Sequence, residues 1–193
     1  MQENYPQEIL LKDKSRLVCR TVEIQDCKIL EEFFLSVPEL DFQIFRDEVI
    51  SEDKVEDWLV STIKKNYLQL IVLDNSKVIA IGTLKPEEDY RKNTAEINII
   101  VAPEQRRKGI GSRLFDLLLY EGLEFGMQKL IIRYASDNKG IISLLNNYGF
   151  ETEISLNYHI NDKENKTQQD IIVSSLNIQD WKRRFEFYSP SSK

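Results

Sequence analysis

The sequence predicts an α/β fold: one mixed, mostly antiparallel sheet with helices packed on it and one pair of parallel strands near its middle. Three observations predict it. Apolar, β-rich runs at 68–73 and 78–84 flank the polar turn Asp74-Asn75-Ser76-Lys77, which is a hairpin signal. Two further β-rich runs, 95–101 and 129–135, are separated by a helical pattern over 111–125, and strand–helix–strand in that order makes neighbouring parallel strands. Finally, 193 residues with 41% hydrophobic side chains suit one compact domain with a sizeable core.

The elements follow in order. Residues 9–11 and 16–22 flank Lys12-Asp13-Lys14-Ser15 and read as a hairpin, whose first strand belongs to a segment spanning 7–15. Asp26 is placed to cap a helix over 26–37, with Ile29, Leu30, Phe33 and Phe34 on one face and Pro38 as its stop. Ser51, Glu52 and Asp53 open a second helix through Val55, Trp58, Leu59 and Ile63. After the 68–84 hairpin, 85–93 is a polar loop. The 111–125 helix ends at Gly126. A short helix over 140–147 ends at Tyr148-Gly149, and strands over 155–160 and 170–176 enclose a polar loop at 161–169. The stretch 181–188 fits a helix or a strand equally. The expected domain is the whole chain, 1–193, with a core of about 16–178 and a C-terminal extension at 179–193.

Composition narrows the function. Lys and Arg number 26 against 32 Asp and Glu, a net charge of −6. That balance argues against nucleic acid as a partner and suits a cationic substrate or simple solubility. Cys19 and Cys27 make no CxxC pair and no disulfide framework, and with His159 as the single histidine a Cys/His zinc site is not expected. His159 itself reads as structural or surface. The N-terminus has no signal-peptide pattern, and no run approaches the ~18 apolar residues of a membrane span. A reduced, cytoplasmic setting without membrane partners follows as the default.

The stretch that carries chemistry is the loop after 95–101. It reads Arg106-Arg107-Lys108-Gly109-Ile110-Gly111-Ser112, and a helix starts there. Two glycines allow a sharp turn and a close approach to a ligand. A helix N-terminus offers unpaired N–H groups and the positive end of its dipole, and the three cations add charge. The loop lacks the Gly-Lys-Ser/Thr of a P-loop, and Leu114 stands where a dinucleotide fingerprint needs a third glycine. On these residues alone it is either an anion cradle or a tight strand-to-helix turn with solvated cations.

The loop resembles the Arg/Gln-x-x-Gly-x-Gly/Ala signature of the GNAT N-acetyltransferase superfamily. Asn138 followed by a short helix ending in Gly149-Phe150 resembles that family's second signature, and the likeness covers about 170 residues. The resemblance implies a central parallel strand pair that splays apart, helices on both faces of the sheet, and acetyl-CoA as co-substrate. It implies that main-chain groups at Ile99, Ile100 and Val101 bond the pantetheine and the thioester carbonyl. Arg106, Arg107, Lys108, Gly109, Ile110 and Gly111 would wrap the pyrophosphate, with Ser112 adding a hydroxyl. Asn138 would bond the cofactor or steer the amine, or would simply cap its helix. Glu96 is the expected base, unless it is only a solvent-facing strand residue.

Two departures stand out. The tyrosine that many members use to protonate the leaving thiolate is Leu145 here; Tyr148, three residues on, is either a substitute acid or packing. Members that acetylate peptide N-termini place a Glu where this chain has Arg133. The lead expectation is therefore transfer of an acetyl group to a primary amine of a small molecule. The alternatives are a protein-lysine or peptide acetyltransferase with its acceptor groove at 38–60, and a non-catalytic acetyl-CoA-binding regulator. A homodimer is compatible with all three.

Overall fold

A computed structural model describes residues 5–38, 41, 52–65, 67–87, 93–162 and 167–186. Eight strands form one sheet in the order β1-β2-β3-β4-β5-β6-β8-β7. They are β1 (Gln7–Leu10), β2 (Arg16–Thr21), β3 (Leu68–Asp74), β4 (Lys77–Pro86), β5 (Thr94–Val101), β6 (Lys129–Ala135), β7 (Glu151–Asp162) and β8 (Thr167–Asn177). Five helices accompany them among the described residues: α1 (Cys27–Ser36), α2 (Glu52–Lys64), α3 (Ile110–Glu124), α4 (Lys139–Tyr148) and α5 (Ile178–Glu186). The chain divides into two compact units, residues 1–85 with 97–119, and residues 86–96 with 120–193.

In the first unit β1 to β4 form an antiparallel meander. Ile9 lies opposite Leu17, Arg20 opposite Ile71, and Ile71 opposite Ile81. The β3–β4 turn needs a left-handed residue, which Asn75 supplies at φ 55°. Residues on one face pair by strand alternation: Ile71, Ile81 and Ile100 join Leu30, Phe33 and Phe34 of α1 and Val55 and Leu59 of α2 in one buried cluster. Each large apolar side chain fully buried there contributes about 1.5–3 kcal/mol. Phe34 and Trp58 meet edge-on with ring centroids 5.5 Å apart. Ile63, expected on the same face of α2, is 46% exposed, and Thr62 is buried instead, its hydroxyl donating to the Leu59 carbonyl at 2.9 Å. The opposite face of the meander carries α3. A Cβ on Gly82 would come within 2.8 Å of Leu114 Cγ and 2.9 Å of Leu118 Cδ1, so helix and strand approach closely only because residue 82 has no side chain.

Asp26 holds the expected N-cap position of α1, but its side chain makes no capping bond to that helix. A 3-10 turn (Ile24–Asp26) precedes the helix, and the Asp26 carboxylate turns back to accept from Glu23 N at 2.8 Å and from both terminal nitrogens of Arg20 at 2.6 and 2.7 Å. A charged, bidentate partner outcompetes a neutral cap. Burial pushes the Asp26 carboxyl up, but the Arg20 guanidinium and the Glu23 N–H more than reverse this and hold it below the usual carboxylate range. The helix ends at Val37, extended at φ −104°, ψ 138°, before Pro38.

In the second unit the start of β5 pairs parallel with β6, Thr94 with Lys129 through Glu96 with Ile131. β6, β8 and β7 are antiparallel to one another in that order. β7 and β8 run longer than expected because two register shifts, at Thr152/Ile154 and Leu156/Ile160, break the alternation that would have announced a single strand. The stretch that fitted helix or strand equally contributes to α5, which begins at Ile178 where Asn177 Oδ1 accepts from Gln179 N at 2.9 Å and Asp180 N at 3.2 Å.

Candidate functional site

The anion loop lies in the first unit. β5 ends at Val101, a 3-10 turn (Pro103–Gln105) follows, and α3 begins at Ile110. The backbone reaches the helix through two left-handed residues, Arg107 at φ 66° and Gly109 at φ 89°. A Cβ at Gly109 would touch nothing within 4 Å among the described residues, and its left-handed φ is what calls for glycine there. Gly111 differs: its φ is ordinary, and among the described residues a Cβ would meet only Val101 Cγ2 at 3.5 Å, an ordinary contact. This matches the Gly/Ala tolerance of the signature at that position. The helical ladder starts with Arg113 N donating to Gly109 O at 3.1 Å, so the N–H groups of Ile110, Gly111 and Ser112 precede it. These first-turn donors, with exposed Arg107, Lys108 and Ser112 around them, fit a pyrophosphate by charge and by donor type.

Arg106 is engaged within the unit. Its Nε donates to the Val101 carbonyl at 3.0 Å, which pins the loop to the end of β5, and a terminal nitrogen makes an ion pair with Asp41. Lys108 Nζ donates to Gln105 Oε1 at 2.8 Å. On β5, Ile100 is buried in the helix-covered cluster, whereas Ile99 and Val101 are half-buried. The structure thus brings Ile99, Ile100, Val101 and Arg106 to Ser112 into one continuous strand-end and loop. Asp41 was not foreseen; it is 65 positions from Arg106, and no local pattern announces such a partner.

The other expected residues lie in the second unit. Glu96 is 7% exposed, not solvent-facing, and makes a buried ion pair with Arg133. The pairing follows from register: Glu96 lies opposite Ile131, so Arg133 is the next β6 residue on the same face. The sequence marks Arg133 only as a departure from the family pattern; its meeting with Glu96 depends on the register of the parallel pair. Asn138 is the N-cap of α4, and its Oδ1 accepts from Ile141 N at 3.2 Å. Tyr148 ends α4, half-buried, before left-handed Gly149 at φ 79°. Nine residues separate Asn138 from Tyr148, so the two sit at opposite ends of one helix. Leu145 is 2% exposed and packs inside. About half of the suggested acceptor groove at 38–60, namely 39–40 and 42–51, lies outside the described residues, as does part of the 161–169 loop. Among the described residues no three His, Cys, Asp or Glu side chains gather as a metal site requires, and no helix is long and apolar enough to cross a membrane.

Comparison with known proteins agrees with this arrangement. An L-amino acid N-acyltransferase of Escherichia coli (strain K12) is 23% identical over 128 residues, 65% of this chain and 74% of the relative. Among solved structures, an N-acetyltransferase from Staphylococcus aureus Mu50 superposes with a TM-score of 0.71 at 19% identity, covering 85% of this chain and 99% of the other. A Salmonella typhimurium structure described as an acetyltransferase with its cofactor acetyl-CoA gives a TM-score of 0.67 at 19% identity, covering 84% and 94%. Residues 29–150 match the acetyltransferase (GNAT) family. With the fold, the glycine loop at a helix N-terminus and that match together, the chain belongs to the GNAT acetyltransferase family and is an N-acyltransferase.

Proposed function

We propose that the chain transfers an acetyl group from acetyl-CoA to the primary amine of a small molecule. The loop from Val101 to Ser112 carries the reading, because it presents first-turn N–H groups ahead of the Arg113 N to Gly109 O bond, with exposed Arg107 and Lys108 beside them. In this reading Gly109 to Ser112 hold the pyrophosphate, and main-chain groups of Ile99 and Val101 bond the pantetheine arm. When bound, acetyl-CoA supplies the activated acetyl group. What the chain adds is placement of the two reactants, which converts a bimolecular encounter into an oriented one, and a fixed N–H donor at the thioester oxygen. Glu96 accepts the proton of the amine, directly or through water, and Arg133 fixes where its carboxylate sits. A small acceptor is supported by the curated relative, an L-amino acid N-acyltransferase.

Calorimetric titration with acetyl-CoA, joined to thiol release across an amine panel, tests the reading. Acetyl-CoA at ~100 times its dissociation constant should stabilise the fold by about 2.7 kcal/mol. Gly111→Val sets a branched side chain where the phosphate would lie. It should abolish that stabilisation while the ligand-free unfolding midpoint stays close to wild type. Undiminished binding by this variant means that the phosphate lies elsewhere.

A further inference from the structure

On the face of the first unit covered by α1 and α2, a polar row crosses the sheet. Gln69 of β3 lies opposite Thr83 of β4. Two main-chain bonds, Ala102 N to Ile79 O and Glu87 N to Thr94 O, both 2.9 Å, bracket an antiparallel β4–β5 pairing in which Thr83 lies opposite Asn98. Gln69, Thr83 and Asn98 are therefore neighbours across three adjacent strands. They sit one step along from the apolar row Ile71, Ile81 and Ile100, so they share its face. All three are buried, with exposures of 5%, 8% and 8%. Three polar side chains side by side beneath helices are costly unless their hydrogen bonds are met. One donor is not met: among the described residues, buried Gln69 Nε2 has no hydrogen-bond partner. A natural core rarely retains such a group without a use for it.

We infer that Gln69, Thr83 and Asn98 form the floor of the acceptor site, and that Gln69 Nε2 donates to a carboxylate carried by the acceptor amine. The inference rests on the transfer reaction proposed above and names its substrate class: small amino-acid-like amines, not simple alkylamines or polyamines. The unmet atom decides the chemistry. It is a donor, so it calls for an acceptor group on the substrate, and a carboxylate is the strongest acceptor a small amine commonly carries. Thr83 and Asn98 each bring a further group able to donate. An all-cationic polyamine brings only donors, which leaves Nε2 unmet.

The test is steady-state thiol release with acetyl-CoA, using L-phenylalanine, L-methionine and L-lysine, each beside its decarboxylated amine. The wild type should favour the acid of at least one pair by tenfold or more in kcat/KM. Gln69→Met keeps the volume and removes the donor. It should raise KM for that acid by about ten- to a hundredfold, as expected for one buried hydrogen bond to a charged group. KM for acetyl-CoA should stay within threefold, and the wild-type preference for the acid over its decarboxylated amine in kcat/KM should fall by about tenfold or more. Gln69→Glu turns a donor into an anion and should exclude the acid further, which keeps the test informative should the Met variant fold poorly. Equal kcat/KM within every pair, or an unchanged KM for the acid in both variants, overturns the inference while leaving acetyl transfer to amines standing. Absence of thiol release with every compound overturns the underlying reaction instead.

Discussion

Gly82 offers a sharp test of how α3, and with it the glycine loop, is seated on the sheet. Replacing it by valine adds a Cβ at 2.8 Å from Leu114 Cγ and 2.9 Å from Leu118 Cδ1, where ordinary contacts begin near 3.4 Å. Leu114 and Leu118 are fully buried, so neither can swing away into solvent. The helix must move by roughly half an ångström or more, and overpacking of this kind typically costs about 1–3 kcal/mol. Two methyl groups beyond Cβ put Gly82→Val at the upper end. Removing glycine from a strand returns up to about 1 kcal/mol through the unfolded chain. The net loss is therefore about 2 kcal/mol, and for a chain of this size each kcal/mol moves Tm by about 2–4 °C. Thermal unfolding followed by circular dichroism should show a fall of about 4–8 °C. Gly82→Ala, where the two terms nearly cancel, should show a smaller one. Valine tolerated with no change in Tm would mean that α3 does not lie against β4 as described.

The remaining predictions concern single side chains. Asp26→Asn should destabilise by about 2–4 kcal/mol, since it removes a charged partner from Arg20 in a mostly buried pair. The folded Asp26 carboxyl lies below the unfolded value of about 3.9. Its contribution is thus complete above that pH and fades as pH falls through the folded value, so urea melts should show wild type and variant converging in acid; a constant gap down to pH 2 would refute the assignment. Burial pushes the Cys19 thiol up to about 12, and burial with Glu31 close by raises the half-buried Cys27. A disulfide reagent at pH 8 should therefore titrate Cys27 slowly and Cys19 only after unfolding, and two fast thiols in the native protein would contradict the packing of β2. Tyr148→Phe should leave kcat within about threefold of wild type, because loss of a general acid costs 10²–10⁴-fold; a loss of that size with coenzyme binding intact would make Tyr148 the acid.

Much of this was legible in the chain, and the reasons are local. The β3–β4 hairpin announced itself because both strands are continuous apolar runs and the turn holds an asparagine able to go left-handed. The α3 start was legible because Gly109 answers to backbone conformation. What was not legible depends on distant partners. Asp26 looks like a cap until Arg20 is seen beside it, and Arg106 looks like a free cation until Asp41 is seen. Glu96 and Arg133 were each singled out, but their meeting needs the parallel register between β5 and β6. Gln69, Thr83 and Asn98 read as interruptions of apolar strands and carry no motif. Ile63 and Thr62 exchange places because a one-residue rotation on a helix lies within the tolerance of any periodicity.

The Glu96–Arg133 pair bears on how such a chain can diverge. Both side chains are nearly enclosed, and changing either alone strands the other as a buried, uncompensated charge, which costs about 3–5 kcal/mol. A glutamate at position 133, the residue implied for acetylation of peptide N-termini, would set two carboxylates face to face unless position 96 changed first or together with it. The route to that specificity therefore crosses a fitness valley. Among descendants of this sequence, positions 96 and 133 should mutate as a correlated couple, detectable as a statistical link between two columns that no single-site survey would notice.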